Sequence, residues 1–253
     1  MFNWVGKTTL HLADGVGAYS VLIGQTMRQS LRRPFELREM VKQLEQVGVN
    51  SLPVVAVTAL FTGMVLALQT YDGFRRFQAE GYVPALLGLA LVRELVPVLG
   101  GMMVAGRVGS AMAAEVGTMK VTSQIDALQV MAADPVQFLV VPRVWATAIM
   151  LPLLIAIGDL IGIWGGQFLI TSVLGEPQPG FMDRVFEFVD AKDFWSGMIK
   201  AFTFGAIVAS VGCYQGLATR GGAEGVGKAT TAAVVQGSLG ILVADFFLTK
   251  VLF

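Results

Sequence analysis

Nineteen successive residues, 52-LPVVAVTALFTGMVLALQT-70, carry no charged side chain. As a helix such a run reaches about 28 Å, close to the ~30 Å hydrocarbon core of a bilayer. Four more runs are as long or longer and almost as apolar, each with one or two charges: 83–105, 144–171, 194–217 and 229–249. Inside lipid every backbone N–H and C=O must find its partner within the protein, and runs of this length and composition do so as helices. The composition agrees. Charged residues are 14% of the chain and hydrophobic ones 55%, whereas a water-facing surface draws on roughly 25% charged residues. The chain is therefore predicted to be an all-α integral membrane protein with five transmembrane helices and an N-terminal amphipathic interfacial helix.

Several functions drop out at once. Lysines and arginines number 18 against 18 acidic residues, so no basic footprint for nucleic acid exists. Cys213 is the only cysteine and His11 the only histidine. They leave no intramolecular disulfide, no metal-ligand cluster and no Ser/His/Asp set. No catalytic residue and no metal ligand is assigned, and the chain is expected to be non-catalytic. The segment Gly222–Ala229 nearly matches the phosphate-binding pattern G-x-x-x-x-G-K-[ST]. However, Ala229 stands where the metal-binding hydroxyl belongs, and the segment follows a span instead of a strand. It reads as a Gly-rich connection between spans four and five.

The first fifty residues are expected to form an interfacial region. The run 12–27 is too short and Gly-rich to span confidently. Pro34 opens a helical pattern over 34–48, with Leu37, Met40, Val41, Leu44 and Val47 on one face and Gly48 as its stop. Spans then fill 52–249. With the N-terminus inside, eleven lysines and arginines fall in inner loops and five in outer ones. This asymmetry predicts a cytoplasmic N-terminus and a cytoplasmic 106–143. That excursion is far longer than a turn between spans requires, and its middle, 115–135, is helix-prone. A segment of this kind suits docking to a partner.

Charges within spans are costly, so they are usually functional or paired. They are Arg93 and Glu94 in span two, Asp159 in span three, Lys200 in span four and Asp245 in span five. Neighbours on a helix point about 100° apart, so Arg93 and Glu94 cannot serve one partner face. Glu94 and Lys200 are expected to line a polar spot in an apolar cavity, or to form a structural ion pair. Lys200, six residues into its span, is also within snorkelling reach of the boundary. Asp159 and Asp245 are expected to be structural. Gly158, Gly162 and Gly166, with Gly212 and Gly216, recur at four-residue spacing and predict close helix packing. From these residues alone a binding cavity built on Glu94 and Lys200, an ion- or proton-coupled secondary transporter or channel using Glu94 and Asp159, and an assembly scaffold all remain open.

The run 93-RELVPVLGGMMVAGRVGSAMAAEVGTMKVTSQIDALQVMAADPVQFLVVPRVWA-146 closely resembles the signature of MlaE-type permeases, membrane subunits of ABC transporters that work with MCE-domain proteins. The likeness extends to 62-TGMVLALQTY-71, 162-GIWGG-166 and 229-ATTAAVV-235, and is weakest in 1–33 and 172–193. It implies one permease domain over 1–253, working as a homodimer around a phospholipid pocket in the bacterial inner membrane. Glu94 and Lys200 match the family's lipid-handling positions, and Arg93 and Gln69 match positions near the pocket. The segment 118–134 resembles the coupling helix, with Met119, Val121, Ile125, Leu128, Met131 and Asp134 as candidate contacts to a separate cytoplasmic ATPase that binds ATP and Mg. A STAS-domain protein and a periplasmic MCE ring are the further implied partners. The implied function is phospholipid movement that maintains outer-membrane lipid asymmetry.

Overall fold

A computed structural model describes residues 2–30, 37–175 and 180–253, and all regular structure among them is helical. Glu176 and the side chains of Lys7, His11, Arg32, Arg33 and Leu37 lie outside the described residues. The helices are α1 (Phe2–Ser30), α2 (Leu37–Arg75), α3 (Val83–Ala90), α4 (Val96–Val104), α5 (Ser110–Val121), α6 (Gln124–Val130), α7 (Val141–Phe168), α8 (Phe181–Phe188), α9 (Ala191–Leu217) and α10 (Gly222–Leu252). Among the described residues five stretches are long and apolar enough to cross a membrane: Glu39–Arg75, Glu80–Val121, Val136–Val173, Ala191–Leu217 and Gly222–Leu252. Each contains one of the predicted runs. In the second, α3, α4 and α5 follow one another through wide π-type turns at Leu91–Leu95 and Ala105–Gly109.

Two boundaries depart from the sequence reading. Gly48 does not end a helix, because α2 continues through it and through Pro53 to Arg75. A Cβ on Gly48 would lie 2.0 Å from Met150 Cε, so this glycine permits a close approach and is no C-cap. Residues 37–48 are thus the entry to the first span. The helix that stays at one end of the bundle is α1. Tyr214 Oη donates to Gly15 O at 3.2 Å, Tyr19 and Ser210 share a 2.8 Å hydrogen bond, and Trp145 Nε1 donates to Ser30 Oγ at 2.9 Å. These partners belong to the last two turns of α9 and the start of α7.

Second, span two does not leave the bundle at Gly106 but runs on as α5 to Val121. The helix between spans two and three is the short α6, set between two non-glycine residues of positive φ, Ser123 (60°) and Ala132 (58°). The expected helix over 118–134 is therefore the end of α5, then α6, then a turn.

Glycines set the spacing between spans. A Cβ on Gly63 would stand 2.0 Å from Gly162 O, and one on Gly165 2.9 Å from Leu60 O, so α2 and α7 touch backbone to backbone. Gly197 meets Val92 O, Gly205 meets Thr147 O and Gly212 meets Gly109 O in the same way. Lipid tails are as apolar as leucine, so such close contact is what holds helices together in a membrane. The α9 span is the most enclosed and the α10 span the least.

Candidate functional site

The charged centre is built around a π-type turn and a proline. Pro97 has no N–H to offer the carbonyl of Arg93, four residues earlier. That carbonyl instead accepts from Lys200 Nζ at 3.1 Å. The turn Leu91–Leu95 carries Arg93 and Glu94, and π-type turns recur at functional sites because they re-aim side chains. Lys200 is 0% exposed; it does not snorkel. Its ammonium donates to Glu94 Oε2 at 2.6 Å, to Thr249 Oγ1 at 2.7 Å and to the Arg93 carbonyl, which uses all three donors. Asp245 Oδ1 lies 3.0 Å from the same nitrogen yet accepts no hydrogen bond from the described residues. Thr249 Oγ1 in turn donates to Glu94 Oε1 at 3.2 Å. One cation thus stands against two carboxylates.

Arg93 faces elsewhere, as the 100° rule requires. Its Nε and Nη2 reach Asp193 Oδ1 at 2.8 and 2.7 Å, and its guanidinium carbon lies 4.4 Å from the centre of the Phe253 ring. Asp193 is buried and also accepts from the backbone N–H of Asp190, closing a capping box at the start of α9. Asp193, Asp245 and Thr249 extend the site beyond the sequence-predicted set. The D-x-x-D pattern at 190–193, just before an apolar run, was the available signal for Asp193. Gln69 is exposed on α2 and bonds to none of these groups.

Asp159 stands apart. It is 3% exposed, and neither carboxylate oxygen has a hydrogen-bond partner among the described residues. Asp159→Asn keeps the shape and removes the charge, so unfolding in detergent micelles is expected to shift by less than about 1 kcal/mol, or toward greater stability. A large destabilisation would mean that a partner holds this carboxylate.

At the α6 end a second polar layer joins three spans. Arg143 donates to Leu139 O at 2.8 Å and to Glu115 at 3.1 Å, Gln46 donates to Glu115 at 3.0 Å, and Arg107 donates to Ser51 at 2.9 Å. The candidate coupling residues separate into two groups. Ile125 is 3% exposed and packs with Val116 and Leu139, with Met119 and Leu128 beside them. These three hold α6 in place. Val121 and Met131 are exposed, joined by Val130 at 88%, which the sequence reading had passed over. Asp134 accepts from the Val136 N–H at 2.9 Å and from Gln29 Nε2. The segment resembling a phosphate loop lies in the first two turns of α10, where Lys228 pairs with Glu224 at 2.7 Å. It forms no loop that could cradle phosphate.

Five apolar helices around a buried charged centre define a multi-pass membrane protein, one that keeps polar groups where lipid tails would otherwise be. The family model described as permease MlaE matches residues 40–251, and the chain belongs to that permease family. A probable ABC transporter permease protein of Rickettsia felis is 44% identical over 99% of this chain and 97% of its own length. The intermembrane phospholipid transport system permease protein MlaE of Haemophilus influenzae is 38% identical over 94% and 90%. The chloroplastic protein TRIGALACTOSYLDIACYLGLYCEROL 1 of Arabidopsis thaliana is 39% identical over 92% and 67%.

Proposed function

We propose that the chain is the permease subunit of an ABC transporter that moves phospholipid between the inner membrane and a periplasmic ring of MCE proteins, so maintaining outer-membrane lipid asymmetry. The observation that carries this reading is the Lys200 cluster. A fully enclosed lysine on span four meets a Glu94 side chain that is still 37% exposed, so the cluster turns one polar edge out of a single subunit. A phospholipid needs such an edge for its head and an apolar wall for its tails. A second copy closing over the thinly covered α10, with its outward Leu239, Val243 and Phe246, would supply the other wall.

In this reading the N-terminus is cytoplasmic, and Val130 and Met131 on the outer side of α6 meet a separate ATPase that holds ATP and Mg. A STAS-domain protein completes the cytoplasmic side. Val130→Glu/Met131→Glu is expected to weaken ATPase association about a hundredfold, as loss of a central apolar contact does, while the permease stays folded. Co-purification from membranes, with lipid analysis and a lipid-transfer assay, checks this. Retained ATPase binding in the double variant would overturn the placement of the contact. Full lipid transfer by Glu94→Gln would overturn the role of the cluster. Asp159 favours the competing reading of a proton-coupled transporter. Transport abolished by Asp159→Asn without an ATPase partner would establish that one instead.

A further inference from the structure

A second site lies at the α6 end, away from Lys200. Residues 18–29 of α1 cover a groove of about 840 Å³ whose far wall comes from α6, the turn at 134–136 and the end of α9. Among the described residues Arg28, Lys120 and Arg220 stand around it, and Asp134 is the only carboxylate lining it. That carboxylate already accepts two hydrogen bonds. Lys120 is matched by Asp126 at 3.1 Å, whereas Arg28 and Arg220 are exposed and pair with no carboxylate among the described residues. The floor is apolar: Leu22, Ile125, Val136 and Leu217. The volume is that of a ligand site, and the charge calls for an anion.

The opposite stripe of α1 identifies the anion's source. Val16, Ile23 and Met27 recur at helical spacing and are exposed, so that stripe needs acyl chains against it. The Trp145 indole, bonded to Ser30, sits at the same end, as interfacial tryptophans do. The groove therefore lies at headgroup depth. The stripe sets α1 against the acyl chains of one leaflet, so the groove on its other face opens among the headgroups of that leaflet, where phospholipid is the abundant anion and a soluble phosphate is not concentrated. Gln29 Oε1 is out of contact with solvent and accepts no hydrogen bond from the described residues; a headgroup hydroxyl would satisfy it.

We propose that this groove binds the headgroup of an anionic phospholipid from the surrounding leaflet, held by Arg28 and Arg220, and that the bound lipid fixes α1 against α6. The proposal rests on the chain's being in a membrane and not on phospholipid being its cargo. The test uses the full-length protein, purified with its native partners and placed in vesicles of phosphatidylglycerol or phosphatidylcholine. A photoreactive benzophenone side chain replacing Gln25 is expected to capture phosphatidylglycerol and not phosphatidylcholine. Native mass spectrometry after delipidation is expected to find less retained phosphatidylglycerol in Arg28→Ala/Arg220→Ala, by roughly fivefold per arginine at low salt. Arg28→Lys/Arg220→Lys is expected to retain most of it. The control Arg75→Ala/Arg76→Ala, at the other end of the bundle, is expected to match the parent. Capture of polypeptide alone at position 25, equal retention of the two lipids, or undiminished retention in the Arg→Ala pair would each overturn the proposal.

Discussion

Replacing Lys200 with alanine is expected to cost the protein most of its stability. The side chain is fully enclosed, and its three N–H groups are the bonds that reconcile Glu94, Thr249 and the Arg93 carbonyl in one apolar bundle. Its removal leaves Glu94 and Asp245 facing one gap with no counter-charge, and opens a cavity the length of a lysine. Removing one partner of a buried ion pair costs about 3–5 kcal/mol, a large share of the roughly 5–15 kcal/mol that a folded domain holds. Unfolding of Lys200→Ala in mixed micelles should therefore begin far below the parent, with low recovery from membranes. The instability must be separable from the chemistry. Lys200→Met/Glu94→Gln/Asp245→Asn removes every charge at nearly constant volume, and such replacements are often neutral or stabilising. The triple variant is expected to fold within about 1 kcal/mol of the parent and to transfer no lipid. A Lys200→Ala protein of unchanged stability would show that the cluster is not the buried network described. A triple variant that transports would remove the cluster from the proposed function.

How much of this could be read in advance depended on whether a residue's partner is local. The spans were legible because an apolar run of about twenty residues has few other fates. Glu94 and Lys200 were legible as a pair because so few charges sit within spans. The 100° offset between Arg93 and Glu94 anticipated two separate partners, and they proved to be Asp193 and Lys200. Asp245 was visible as a charge, but its company was not. It shares a helix face with Thr249, four residues on, and only the docking of α10 on α9 brings both to Lys200. Gly48 was ambiguous in principle, since a glycine that ends a helix and one that admits a neighbour are the same letter. The neighbour, Met150, lies a hundred residues away. In 118–134 the apolar residues were read as facing a partner, yet Ile125 and Leu128 turn inward onto Val116 and Leu139, and Val130 faces out. The reversal follows from the breaks at Ser123 and Ala132, two non-glycine residues of positive φ that sequence does not announce.

Gly63→Ala is the other substitution expected to do great damage, and a series of three glycines on α2 separates its cause from helix propensity. In a helix interior alanine is favoured over glycine by up to about 1 kcal/mol. At Gly73 a Cβ meets nothing within 4 Å, so Gly73→Ala should gain part of that amount. At Gly48 a Cβ collides with Met150 Cε at 2.0 Å, but that atom is the end of a flexible side chain able to swing aside. A modest loss is expected there, relieved by Met150→Ala in the same molecule. At Gly63 the obstacle 2.0 Å away is the carbonyl oxygen of Gly162, with its carbon at 2.6 Å and Cα at 2.9 Å. Backbone cannot swing, and no side chain smaller than that of Gly162 exists to make room. The α2 and α7 helices must therefore separate along the whole seam that Gly162, Gly165 and Gly166 share with residues 59–67. Overpacking of this kind costs about 1–3 kcal/mol and occasionally more, and in lipid no hydrophobic force pulls the two helices back. Unfolding in micelles should rank the variants Gly73→Ala, Gly48→Ala and Gly63→Ala in descending stability, with no second-site truncation restoring the last. Equal losses at Gly48 and Gly63, or rescue of Gly63→Ala by trimming a neighbouring side chain, would mean that the two helices do not meet backbone to backbone.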